Sequence, residues 1–386
     1  MKSIAIVTAT RAEYGLLKPV ITKLIKRDNI EVRVVVTGAH LVSEFGYTVQ
    51  EIRKDNIPID KEIEILLSSD TPVAVSKSMG LAIISFAEYF HEKRPDAVMV
   101  LGDRYEMLAI CCAAMNERIP IMHLHGGETT EGLIDEAVRH AITKMSYLHF
   151  TSTESYRRRV IQLGEVPEHV FNVGALGVEN ALSESLLSKA DLEESLGIVL
   201  GRFAIGTYHP VTLEDNTEKK QVDDLLQAID NFQDITFLFT KANADSNGRI
   251  INEILRKYEE KHSNFYLVDS LGMKRYLSAL KYAEFVIGNS SSGLIETPSF
   301  HVPTINIGDR QKGRISGDTV INCTPKAEEI VEAIKIAVSP KFKDKIKDAK
   351  NPYGDGNTSE KVVAVTEKYL MDDEMNIKKK FNDLNF

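Results

Sequence analysis

Residues 97–124 run AVMVLGDRYEMLAICCAAMNERIPIMHL. Two short apolar runs, Ala97–Leu101 and Ile119–Leu124, bracket a segment of helical period. A strand apolar on both faces, then a helix, then another such strand is a βαβ unit of a parallel sheet covered by helices on both sides. The same rhythm extends outward: Ile4–Thr8 and Val32–Thr37 come before it and Leu148–Thr151 after it. Beyond the polar stretch Ser183–Ser195 the pattern restarts, with Phe203–Tyr208, Ile235–Thr240, Phe265–Val268, Phe285–Ile287 and Pro303–Ile307. The expectation is an α/β protein with two parallel-sheet domains joined near residues 175–200. We place the first at 1–180 and the second at 181–365. A C-terminal helix and charged tail, 366–386, is left to pack back on the first.

The chain has 386 residues, 47 Lys+Arg against 56 Asp+Glu, a net charge of −9, three cysteines and no tryptophan. That length suits about two domains, each able to bury a core of its own. With 43% hydrophobic and 27% charged residues, fibrous and disordered classes are excluded. The acidic balance argues against a nucleic-acid partner, because phosphate backbones are bound chiefly by clustered Lys and Arg that release counterions. Cys111 and Cys112 are adjacent in an apolar helical pattern and Cys323 stands apart, so no disulfide framework is indicated and a reducing compartment fits. The N-terminal MKSIAIVTATRAEYG has an apolar run too short for a secretory signal and forms the first strand. No stretch reaches the roughly 18 apolar residues of a membrane helix. A cytoplasmic protein with no membrane partner is expected.

In open α/β sheets ligands bind outside the carboxyl ends of the strands, so chemistry is sought in the loops that follow them. After the first strand, Thr8-Ala9-Thr10-Arg11 places Arg11 where a helix begins and where an anion would meet its N-terminus. A plain surface position for Arg11 is the alternative, and the loop lacks GxGxxG. After Leu101 come Asp103 and Arg104, an acid and a base; Asp103 as a helix N-cap is the other reading. The run His123-Leu124-His125-Gly126-Gly127-Glu128 sets two histidines on one strand face with a carboxylate beyond, and Asp135 and Glu136 open the next helix. Acid–base chemistry, a metal held by His123 and His125 with an Asp, and simple capping all fit this cluster. Farther on, His209 follows a strand in Thr207-Tyr208-His209-Pro210, and Asn243 and Asp245 follow the next. Gly288-Asn289-Ser290-Ser291-Ser292-Gly293 offers N–H groups and hydroxyls at the start of a helix carrying Glu296, either a phosphate cradle or a Ser-rich cap. Arg310, Lys312 and Arg314 follow another strand and suit a diphosphate, or form a solvated basic turn.

The phrases TATRAEYG, TGAHL, GDRYEML, HGGE with DEAVRHAITKMSYLHF, HPVTLEDNT, GNSSSGLIE and GDRQKGR run in order from Thr8 to Arg314. Together they resemble the UDP-N-acetylglucosamine 2-epimerase family, in particular its hydrolysing branch that makes N-acetylmannosamine for sialic-acid synthesis. The resemblance implies a GT-B architecture of two Rossmann-like domains with a nucleotide sugar between them. It implies a UDP-sugar substrate, no cofactor, no metal and, as is common among relatives, a homodimer. Asp103 and Asp135 match family catalytic carboxylates and His209 a histidine near the phosphates. Arg310, Ser290 and Ser291 match diphosphate contacts, Glu296 a ribose contact, and Arg11, Arg104 and Asn243 other nucleotide-site positions; Arg314 joins them from the basic turn. One departure stands out. Many members have HxEGGE, with a catalytic Glu where this chain has His125, so that proton-transfer role passes to His125 or to Glu128.

Carbon 2 of such a sugar is not next to a carbonyl, so no carboxylate can remove its proton directly. Breaking the bond from C1 to the UDP oxygen makes C1 an oxocarbenium centre and acidifies the C2–H. Arg310, His209 and the Ser290–Ser291 turn would stabilise the leaving diphosphate. First-domain acids would take the C2 proton to give a glycal, then direct water to C1 and return a proton to the opposite face of C2. Clustered acids such as Asp103, Asp135 and Glu136 should differ in pKa. Competing expectations are a 2,4-diacetamido UDP-sugar (UDP-N,N'-diacetylbacillosamine) as substrate, a non-hydrolysing 2-epimerase, a GT-B glycosyltransferase that needs an acceptor, and a non-catalytic UDP-sugar sensor.

Overall fold

The computed structural model describes residues 1–69, 71–131, 134–182, 186–210, 218–242, 248–372 and 377–384. Among them, the first part of the chain contributes β1 (Lys2–Thr8), β2 (Ile30–Thr37), β3 (Ile59–Ile63), β4 (Ala97–Leu101), β5 (Ile121–Leu124), β6 (Leu148–Thr151) and β7 (Val170–Asn172). They pair in parallel in the order β3-β2-β1-β4-β5-β6-β7. Successive residues of a strand point to opposite faces, and both faces are covered. Ile4, Ile6, Met99 and Met122 pack with Leu17 and Val20 of the helix Arg11–Ile25 and with Val362 and Val363 of the helix Thr358–Met371. Ala5, Val7, Val98 and Val100 pack with Phe86 and Phe90 of the helix Pro72–Lys93 and Ile110 of the helix Tyr105–Asn116.

The second sheet contains β8 (Phe203–Thr207), β9 (Thr236–Thr240), β10 (Phe265–Val268), β11 (Phe285–Gly288), β12 (Thr304–Ile307) and β13 (Val320–Cys323), parallel in the order β10-β9-β8-β11-β12-β13. Its faces alternate in the same way. Phe237, Phe239, Phe285 and Ile287 enter one core and Phe203, Ile205, Leu238 and Val286 the other. Three strands were not expected from the sequence, β3, β7 and β13, and all three are sheet edges. An edge strand needs no apolar run: Asp60, Lys61 and Glu62 in β3 are exposed.

The chain forms two compact units, Met1–Glu128 with Asp135–Leu176 and Gly354–Phe386, and Thr129–Ile134 with Gly177–Tyr353. The return to the first unit begins at Gly354, ahead of residue 366, and a short excursion after Glu128 belongs to the second unit. The returning helix Thr358–Met371 docks by its buried Val362, Val363 and Leu370, while Arg27 pairs with Glu360 and Glu367 at the rim. By length and composition the helix Pro72–Lys93 is long and apolar enough to cross a membrane, although no such stretch was found in the sequence. Its Ala82, Phe86, Tyr89 and Phe90 are committed to the core of the first sheet.

The tail also docks. Lys379 Nζ lies 2.7 Å from Glu165 Oε2 and donates to the Lys144 carbonyl at 2.8 Å, and Phe381 packs over Gly164. Glu165 is buried and also accepts from Lys144 Nζ at 2.6 Å and His149 Nε2 at 3.0 Å. Burial alone would raise its carboxyl, but the bonds from His149, Lys144 and Lys379 overcome this and bring it down to about 2. A folded-state value below the unfolded one adds stability that is present above pH 4.5 and is lost as pH falls toward 2. The linkage is of the order of 3 kcal/mol. Urea midpoints followed over that range are expected to fall more steeply for the native chain than for Glu165→Gln; parallel curves would contradict this.

Gly288 closes β11 with φ +133°, and a Cβ there would lie 2.0 Å from the Thr207 carbonyl at the end of β8. Gly288→Ala is therefore expected to lower the thermal unfolding midpoint, at a strain of about 1–3 kcal/mol. An unchanged midpoint would contradict the close approach.

Candidate active site

In each sheet the strand order reverses once, between β1 and β4 in the first and between β8 and β11 in the second. Chains leaving the carboxyl ends of those strands diverge, which opens a crevice where ligands bind in open α/β sheets. Loops at these points carry Asp103, Arg104, His209, Ser290 and Ser291, while His125 and Glu128 follow β5 and Arg310 and Arg314 follow β12.

In the first unit the centre of the cluster is Arg139, only 1% exposed, on the helix Asp135–Met145. Its Nη2 pairs with Asp103 Oδ2, and its Nη1 donates to Glu136 Oε2 at 2.6 Å and to the Glu128 carbonyl at 2.9 Å. Burial works against the charged guanidinium, and Asp103 and Glu128 lead the charges that more than restore it. Asp103 is thus an ion-pair partner; the N-cap of the helix Tyr105–Asn116 is Arg104. Asp135 stands half-buried in the first turn of the Arg139 helix. His125 and Glu128, expected as alternatives, form one pair: His125 Nδ1 lies 3.4 Å from Glu128 Oε1, which also accepts from Ser152 Oγ at 2.9 Å. His125 has left the strand with φ +65°, so it does not share a face with His123.

His123 is buried and held by structure. Its Nε2 bonds the Gly102 carbonyl at 2.8 Å and Thr143 Oγ1 lies 3.2 Å from its Nδ1. Burial lowers its pKa to about 3, so the ring is neutral, with the proton on Nε2 facing the carbonyl. Both nitrogens are engaged, which removes His123 from a metal set with His125; the bond to Gly102 steadies the turn that carries Asp103. Gly127, next to Glu128, has φ +79°, and a Cβ there would come 2.5 Å from the Tyr156 carbonyl.

At the β1 end the structure corrects the expected anion site. The Ala9 and Thr10 N–H groups donate to Glu13 Oε2 at 2.7 and 3.0 Å, closing a capping box with Thr10. The helix N-terminus beside Arg11 is therefore filled by the chain's own carboxylate. Arg11 is 41% exposed and lies 3.9 Å from Glu51. Burial raises Glu13 to about 7; Arg104 opposes this and Glu106 adds to it. Arg104 bonds Glu106 through Nε and Nη2 at 3.2 and 3.0 Å.

In the second unit His209 follows β8 and is buried. Burial first, then the Arg310 charge, lowers its pKa to about 3, so it acts as a neutral hydrogen-bonding ring. The Asn289 carbonyl accepts from Arg310 Nη1 at 3.1 Å and Gln311 Nε2 at 2.8 Å. The helix after Gly288–Ser291 is a single turn, Ser292–Ile295, with Glu296 as its C-cap, so the macrodipole invoked for the cradle is small. Among the described residues no backbone carbonyl accepts from the Ser290 or Ser291 N–H. Glu296 sits over Gly177, where a Cβ would come 2.0 Å from Oε1. Burial pushes the neighbouring Tyr276 hydroxyl up to about 12. In the basic turn Arg314 is half-buried and Lys312 exposed. Asn243, Asp245 and the part of HPVTLEDNT beyond Pro210 lie outside the described residues.

The structure therefore groups Asp103, Glu136 and Glu128 around Arg139, with His125 paired to Glu128 and Asp135 one turn away, and groups His209 and Arg310 around Asn289 beside Ser290 and Ser291. Arg139 and Asn289 had not been assigned a role from the sequence. The Glu136–Arg139 spacing, one helical turn, was the signal for the first.

The family model described as UDP-N-acetylglucosamine 2-epimerase matches residues 22–367. The chain is 42% identical over 371 residues to polysialic acid biosynthesis protein P7 of Escherichia coli, covering 96% of this chain and 95% of that protein. It is 43% identical over 344 residues to the GDP/UDP-N,N'-diacetylbacillosamine 2-epimerase (hydrolyzing) of Campylobacter jejuni, covering 89% of each. A crystal structure of UDP-GlcNAc 2-epimerase from Neisseria meningitidis bound to UDP-GlcNAc superposes with a TM-score of 0.82 at 20% identity, over 95% of this chain and 100% of that one. At that identity the likeness is one of fold, the GT-B type with two Rossmann-like domains. Because the family model spans most of the chain and two relatives match it nearly end to end, the chain belongs to the UDP-N-acetylglucosamine 2-epimerase family and is an epimerase of that family.

Proposed function

We propose that the chain is a hydrolysing 2-epimerase that converts UDP-N-acetylglucosamine and water to N-acetylmannosamine and UDP, supplying sialic-acid synthesis. The observation that carries this is the gathering of Asp103, Glu136 and the Glu128 main chain on buried Arg139, beyond the carboxyl ends of the neighbouring strands β4 and β5. A relative named as hydrolysing supports the water step. The first unit serves as the catalytic domain and the second as the nucleotide-binding domain.

The diphosphate engages Arg310, His209 and the Ser290 and Ser291 N–H groups, with Glu296 on the ribose and Arg314 in a supporting contact. Arg310 supplies positive charge and neutral His209 a hydrogen bond as the C1–O bond breaks. Asp103, with Asp135 and the His125–Glu128 pair, removes the C2 proton, orients water at C1 and returns a proton to the other face of C2. The balance is one water consumed and one UDP released. The enzyme acts as a homodimer, supported by exposed Val73 (64%) and Ile84 (61%) on the helix Pro72–Lys93; sedimentation at the monomer mass would contradict this. Free cysteines Cys111, Cys112 and Cys323 suit a cytoplasmic setting.

The names of two relatives favour a second reading, UDP-N,N'-diacetylbacillosamine as the substrate. Both UDP-sugars, incubated in parallel without an acceptor and followed by NMR, decide between them. The expected result is UDP with free N-acetylmannosamine, formed faster than the diacetamido product. Faster turnover of the second sugar moves the assignment to it. UDP-N-acetylmannosamine without free sugar, or turnover only with an acceptor, overturns the hydrolysing reading.

A further inference from the structure

β8 and β11 are neighbours in the second sheet, and their last paired residues are Thr207 and Gly288. Beyond that rung the chain would have no ladder left, and the backbone of His209 would need other partners. Asn289 supplies them. Its Oδ1 accepts from the His209 N–H at 2.7 Å and its Nδ2 donates to the His209 carbonyl at 2.8 Å, so one side-chain amide adds a rung past the end of the strands. Only an amide does this, because the rung needs one donor and one acceptor side by side. The main chain of Asn289 is tied down as well: its N–H donates to the Thr207 carbonyl at 3.2 Å and its own carbonyl holds Arg310 and Gln311. The residue is 1% exposed.

We propose that Asn289 is a positioning residue that fixes the His209 ring and the Arg310 guanidinium relative to one another, so that both meet the charge growing on the leaving diphosphate. The proposal rests on the function proposed above. Asn289 touches no reacting atom and acts through two groups that do. Preorganised donors of this kind stabilise the transition state without reorganising during the reaction.

The test compares Asn289→Asp, which keeps the shape and loses the donor, and Asn289→Ala, which loses both bonds without adding charge. Each is paired with His209→Asn in a double-mutant cycle. Folding is checked by the unfolding midpoint, UDP affinity by calorimetry, and kcat and KM on the UDP-sugar. Expected are folded variants, kcat down by about 10²-fold, KM changed far less, and a double variant no slower than His209→Asn alone, since both changes disable one device. Folded variants with native kcat, or losses that multiply in the double variant, overturn the proposal. So does failure of both variants to fold, which would make Asn289 a folding residue only. If the native chain released no UDP at all, the function would fall first, and that outcome is read on the native chain before any variant.

Discussion

Asp103→Asn is expected to lower kcat by about 10²–10⁴-fold while leaving UDP affinity and the unfolding midpoint close to native. The substitution keeps the shape and one acceptor oxygen toward Arg139, and Arg139 retains Glu136 and the Glu128 carbonyl. What is lost is a carboxylate able to take and return a proton. UDP affinity should hold because the groups assigned to the diphosphate, Arg310, His209, Ser290 and Ser291, belong to the second unit. Native kcat in the variant would remove Asp103 from the chemistry and pass its role to Asp135 or the His125–Glu128 pair.

Arg139→Met is expected to be the most damaging single change in the first unit, for stability and rate together. The guanidinium is 1% exposed, so it is desolvated whatever it does, and its cost is offset by Asp103, Glu136 and the Glu128 carbonyl. Methionine fills similar volume but leaves the carboxylates facing each other without a cation. Breaking a buried pair in this way costs about 3–5 kcal/mol, toward the lower end here because Asp103 and Glu136 are each about a quarter exposed. Urea midpoints at pH 7 check the loss. A variant as stable and as active as the native chain would show that Arg139 is not the centre of the cluster.

Much of the fold was legible because its central strands are apolar on both faces: β1, β4, β8 and β11 carry runs that little but a covered parallel strand explains. The edges β3, β7 and β13 were not, since a strand with one neighbour and a solvated face carries no such run. The loops after strands were legible for the same reason as the strands. Their internal wiring was less so. Thr10 and Glu13 spell a capping box in the sequence, and that signal should have outweighed the anion site read beside Arg11. The helix after Gly288–Ser291 was expected to carry Glu296, yet it ends at Ile295; Pro298 just beyond favours the 3-10 turn Thr297–Phe300 over a continued α-helix. Arg139 and Glu136 sit at helical spacing, but the reach to Asp103 spans 36 residues and depends on β4 and β5 being neighbours. The Asn289 clamp spans 80 residues and depends on β8 lying beside β11. Strand order decides such contacts, and local pattern does not encode it. Nor does anything between Glu128 and Asp135 mark that segment as belonging to the second unit.

The most direct test of proton exchange at C2 after departure of the nucleotide is turnover of UDP-N-acetylglucosamine in deuterated water, with the released sugar examined by NMR. One deuterium at C2 of free N-acetylmannosamine, together with stoichiometric UDP, is the expected result. Released N-acetylmannosamine that retains the original hydrogen at C2 would contradict it.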